Sequence, residues 1–249
     1  MVLLTLICFP DAASAQRSPH TVHLAPSVQA KSSPDQQWYP RSLSTQIGTI
    51  ETFDADQLSI QLEGQSVPTR FASQRVLEIT LAQVPADQQA AITSFNQGDY
   101  GTALPALIRC ISEHDASSRP PVWRQQWLSM LAAQAAMRSG RGDICLELVR
   151  QLDARPLPAM MLGLLPIDWT GEFGANDAFI EIAVRHASSE SLAVKLVAAS
   201  WLLRSPKYQS AAESALKRLS ALTDRKWIAM LAAQLIWRTK TPPEIVASY

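Results

Sequence analysis

The chain has 249 residues, 47% of them hydrophobic and 18% charged, with 22 basic side chains balancing 22 acidic ones. Such a length buries a full core, and the composition belongs to a folded protein rather than a disordered one. Zero formal charge without a long run of either sign excludes the basic stripe that neutralises phosphates, so nucleic acid is not an expected partner.

Residues 1–15, MVLLTLICFPDAASA, read as a secretory signal peptide. Residues 2–9 form its apolar core, Pro10 breaks it, and Ala13, Ser14 and Ala15 offer a cleavage site before Gln16. The run is too short to span a bilayer, which needs about 20 residues. No Lys or Arg precedes it, so either the true start lies upstream or the signal is unusual; a buried N-terminal strand is the other reading. Cys8 follows a large Ile7 where a lipoprotein anchor wants a small residue. The expected location is therefore exported: periplasm, cell envelope or secreted, with no transmembrane helix in the mature chain.

Residues 16–45 are rich in Pro, Ser, Gln and Ala and read as a disordered linker. His20 and His23 form a close pair there, but with no carboxylate or cysteine nearby a solvated tail accounts for them better than a metal site. Period two takes over in residues 46–84, where Leu58, Ile60 and Leu62, then Leu77, Ile79 and Leu81, alternate with polar residues. This predicts three or four strands near 47–53, 57–63, 66–71 and 75–81. They form a small β-meander that either curls into an SH3-like module or leans on the helices C-terminal to it. Asp54 and Asp56 suit a turn; a calcium loop needs more oxygen ligands.

From residue 86 the pattern is helical. Gly98 and Tyr100 mark a turn, Ala103 and Leu107 follow at helical spacing, and small Ala91 stands seven residues before the glycine. On these residues the stretch resembles a tetratricopeptide repeat, a helical hairpin of about 34 residues. It departs from the family pattern at Cys110, where alanine is usual, and at Pro120, a closing proline that comes later than expected. A second hairpin with its turn at 139–142 brings the TPR-like part to residues 86–154. Arg141, Gly142 and Asp143 spell an adhesion tripeptide that is incidental in a hairpin turn. The resemblance implies binding of a peptide or protein on a concave face.

One helix is written three times: WLSMLAAQAAMRS at 127–139, LVAASWLLRS at 196–205 and WIAMLAAQLIWRT at 227–239. The arginines that end the copies, Arg138, Arg204 and Arg238, lie 66 and then 34 residues apart, the period of a stacked helical array. Paired alanines allow close backbone approach and tryptophans fill the gaps, each worth about 2–4 kcal/mol when buried. Residues 178–249 thus read as further helical-repeat hairpins, giving a mainly α superhelix behind a small β module.

Between them, residues 155–177 hold three prolines and three glycines and read as an irregular connector. Asp168, Trp169 and Glu172 cluster in it. Two carboxylates beside an aromatic are the equipment of an envelope hydrolase or lyase acting on polysaccharide, provided they face a cleft about 5–9.5 Å apart. The alternative is a wrapped connector, with Trp169 plugged into a groove and Asp168 capping a turn. Cys110 and Cys145 are either small buried hydrophobes or, after export, a disulfide.

No nucleophile elbow, phosphate loop or dinucleotide motif occurs, so neither cofactor nor metal is expected. The favoured expectation is an exported, non-enzymatic interaction scaffold that binds a protein or peptide or self-associates. Ile228, Leu231 and Leu235 are expected to form its under-covered contact face, and Trp169 of the connector is a further candidate interaction residue. A third reading makes the β module the binding part and the helices a stalk.

Overall fold

Alternating β-branched and aliphatic residues build a five-stranded antiparallel sheet. The computed structural model describes residues 19–27, 42–112, 119–155, 157–173 and 176–239; the expected signal peptide at 1–15 and the tail at 240–249 lie outside them. The strands are β1 (His20–Leu24), β2 (Ser44–Phe53), β3 (Gln57–Leu62), β4 (Thr69–Ala72) and β5 (Val76–Thr80). Four of them match the expected positions. β4 starts late because Pro68 has no N–H for a ladder.

β1 corrects the linker reading of 16–45. His-Thr-Val-His-Leu is itself a period-two segment, and Val22 and Leu24 point into the core with no exposed surface. It lies between β2 and β5, so the order is β4-β3-β2-β1-β5 rather than a meander. That order forces curvature. β4 and β5 are four strand spacings apart, about 19 Å in a flat sheet, yet only the 3-10 turn Ser73–Arg75 joins them, about 14 Å of chain at most. The sheet must curl until its edges approach.

Among the described residues nine mostly paired helices follow, so the chain is mainly α with a β module in front. They are α1 (Ala86–Asn96), α2 (Tyr100–Ser112), α3 (Val122–Arg138), α4 (Gly142–Asp153), the short α5 (Ala159–Leu162), α6 (Asp177–His186), α7 (Leu192–Leu202), α8 (Gln209–Ser220) and α9 (Lys226–Thr239). α1 packs on α2, α3 on α4, α6 on α7 and α8 on α9, and α2–α3, α4–α7 and α7–α8 contacts join successive pairs. The first two hairpins turn at Gly98 and Gly140, both at φ +79°, where a side chain would be strained.

The three copies of the repeated helix form the inner part of α3, most of α7 and the buried side of α9, all in one continuous core. α3 is apolar all round because it is covered all round. α2 and α4 flank it, Trp123 enters the core of the sheet beside Ile50, Leu58 and Ile60, and Gln134 meets the connector. Met161 of α5 fills the sheet core from the other side, so that core is completed by the helical part.

Because β1 is a central strand, Leu24→Ala should destabilise the protein by about 2–5 kcal/mol. Denaturant titration measures this; a linker residue would change stability by less than about 0.5 kcal/mol.

Candidate functional site

The connector crosses the repeated helices with its backbone polar groups held by their side chains. Gln134 Nε2 of α3 donates to the Leu164 carbonyl at 2.7 Å. In α7, Ser200 Oγ accepts from the Asp168 N–H at 3.0 Å and Trp201 Nε1 donates to the Pro166 carbonyl at 3.1 Å. At the end of α9, Arg238 Nη1 donates to the Trp169 carbonyl at 3.0 Å while its guanidinium lies over the Trp169 ring. Arg204, which ends the second copy, lays its aliphatic stem over Gly171. Leu157, Leu162, Leu165 and Ile167 are buried beneath this web.

The expected acid pair does not form. Asp168 is buried, and its carboxylate accepts the N–H groups of Gly171, Glu172 and Phe173 as well as the Thr170 hydroxyl. Both oxygens are engaged inside their own loop, whereas Glu172 is exposed on the surface. Trp169 is half-buried against the core. The geometry is that of a capped loop, and these carboxylates do not converge on a cleft.

The expected contact face is corrected as well. Ile228, Leu231 and Leu235 are 1%, 6% and 1% exposed, turned into the core. The opposite row carries Trp227, Met230 and Trp237, which are 37%, 41% and 47% exposed. Helical spacing puts both tryptophans on one side with Met230 between them, a signal present in the sequence that the apolar character of the whole helix concealed.

A cleft of about 580 Å³ opens where three parts of the molecule meet. Ala55 and Asp56 of the β2–β3 turn form one wall, the end of α4 and Leu157 and Leu162 a second, and residues 224–228 the third. Asp153 fixes its floor. This carboxylate accepts from the Ser191 hydroxyl and the Ala193 N–H at the start of α7, and pairs with Arg225. Asp56, Asp224 and Lys226 stand around it, and Trp227 lies at the rim.

A second polar cluster lies at the seam of sheet and helices. Arg124 is buried, bonds Gln88 Oε1 of α1 through Nε at 3.2 Å, and stacks on Trp127 at 4.2 Å. Burial pushes its guanidinium down to about 10. His20 of β1 meets Trp123 edge to face at 5.9 Å, and His20 Nδ1 and Trp123 Nε1 are buried with no hydrogen-bond partner. Burial first, and then Arg124, holds the imidazole below its ordinary value. His23, on the same strand, instead bonds Thr45, so the two histidines share no ligand position. Cys110 and Cys145 are both buried and are not joined to each other; Cys110 donates to Asp87, and burial pushes the Cys145 thiol far up.

Comparison with protein-family models, with curated proteins and with solved structures returns no match to this chain.

Asp168→Ala should destabilise the fold by about 2–4 kcal/mol by stranding buried N–H groups, while Glu172→Gln stays within about 0.5 kcal/mol. Paired denaturation curves measure the contrast. Because the folded state holds the His20 imidazole below its ordinary value, the unfolded chain takes up its proton first and stability falls as pH drops below about 6.5. Thermal melts from about pH 7.5 to 5 should show a shallower fall for His20→Gln than for the parent.

Proposed function

We propose that this protein is an exported, non-enzymatic interaction scaffold of the cell envelope: a tetratricopeptide-like array behind an SH3-like sheet. Several features support the architecture. Helical hairpins turn at positive-φ glycines, and the strand order with its 3-10 turn brings the sheet edges together. One period after Arg138 falls within the connector, which on this reading stands in the place of one spine helix.

The observation that carries the functional reading is the cleft between sheet, α4, connector and α9. Its rim offers carboxylates from Asp56 and Asp224, an ammonium from Lys226 and the flat face of Trp227, with the Asp153–Arg225 pair holding the walls in register. Such a lining suits a polypeptide, which presents backbone amides, charges of both signs and apolar side chains. The spine itself is filled by the chain's own connector and sheet, which leaves the cleft for a partner protein or peptide.

Affinity capture from the envelope fraction with the tagged mature protein tests this. A specific co-purifying protein should be retained by the parent and lost with Asp56→Arg/Asp224→Arg, both exposed positions. Enrichment of glycan alone, or a captured protein indifferent to the two substitutions, would overturn the reading.

A further inference from the structure

β1 sets one titratable side chain against the helices. His20 shares the inward face of the strand with Val22 and Leu24, and its ring meets Trp123 of α3 edge to face. The neighbouring strands bring no charge to it: Gly48 of β2 stands opposite, and the β5 ladder ends at Thr80, the partner of Thr21. Glu78 of β5 pairs with His23, which faces the other way. From the helices His20 faces Trp123 and Arg124; around Arg124 lie Gln88 of α1, which it bonds, and Cys110 of α2, which is bonded to Asp87 of α1. No carboxylate pairs with His20 or Arg124 among the described residues.

A neutral imidazole carries one donor and one acceptor, an imidazolium two donors. His20 Nδ1 and Trp123 Nε1 are buried without a partner, and the indole nitrogen can only donate. A proton on His20 therefore adds a donor where the seam already has one to spare, and a charge beside Arg124, itself buried. Parting the surfaces gives all of these groups to water. The helices would survive that parting. Their apolar core runs from α1 to α9 without the sheet, whereas the sheet has its own core, which Trp123 and Met161 complete.

We propose that the meeting of β1 with the start of α3 is an acid-opened joint: proton uptake by His20 parts the sheet from Trp123 and Arg124 while the helical hairpins stay folded. This joint goes beyond the cleft reading and does not rest on it, because His20, Trp123 and Arg124 do not line the cleft. Burial, and then Arg124, holds the docked imidazole below its ordinary value, to which it returns in the open state. Opening is then independent of pH above about 7 and grows as pH falls through about 6.5, by at most about tenfold per pH unit.

Hydrogen exchange of the intact protein, followed by mass spectrometry at about pH 7.5 and about pH 5 and corrected for the intrinsic effect of pH, tests this. Peptides covering β1 and the first turn of α3 should open at least about fivefold more at the lower pH, and those of α4 and α7 less than about twofold more. His20→Gln should abolish the rise. So should His20→Phe, which keeps a ring against Trp123 and takes up no proton. His23→Gln, on the outer face of the same strand, should keep it. A rise that α4 and α7 share, one that survives both His20 substitutions, or none in β1 would overturn the proposal.

Discussion

A buried backbone must find hydrogen-bond partners, and the architecture of this protein turns on how one irregular segment meets that demand. The connector has almost no helix of its own to satisfy its amides and carbonyls, yet it runs through the interior. Side chains from three helices supply what is missing: Gln134 from α3, Ser200 and Trp201 from α7, Arg238 from α9. Because these helices are otherwise Ala-, Leu- and Trp-rich, their few polar residues are placed where the connector needs them. Asp168 completes the arrangement by capping three successive N–H groups of its own loop. The same residues that look like interruptions of an apolar spine are the ones that hold it to the connector.

The sheet depends on the same core from the other side. A curled five-stranded sheet this small has too little interior to stand well alone. Trp123 and Met161, from α3 and α5, supply the volume it lacks. Docking brings polar groups with it: Arg124 keeps its charge under cover by stacking on Trp127 and bonding Gln88, and burial holds the His20 imidazole below its ordinary value. Two ring nitrogens stay unpartnered at that seam, a local penalty borne by the apolar contacts around them.

Much of this was legible from the residues, and what was not has physical reasons. Alternation located four strands because each alternates polar and apolar over several residues. β1 escaped because five residues of strand sit inside proline- and serine-rich flanks whose composition dominates any window. The strand order was beyond reach, since hairpin turns specify neighbours but not which distant strand closes the sheet. The repeat of Arg138, Arg204 and Arg238 did locate three helices that share one core, and Asp168 as a cap was readable from its loop. The face of α9 was not. Periodicity identifies a buried side only when the other side is polar, and α9 is apolar on both.

That last failure is informative in itself. An all-round apolar helix in the middle of a stack is explained by its neighbours, as α3 and α7 are. α9 carries the same inward residues, but Trp227, Met230 and Trp237 on its other row stay partly exposed, and solubility would be served better by Lys or Glu at 230 than by Met. Retaining Gln at 234 sharpens the point. A lone glutamine amid exposed apolar side chains gains nothing from packing, but at the equivalent places in α3 and α7 the polar group bonds the turned backbone of the connector. The three copies thus share their buried row, and what differs between them is the neighbour that meets the opposite one.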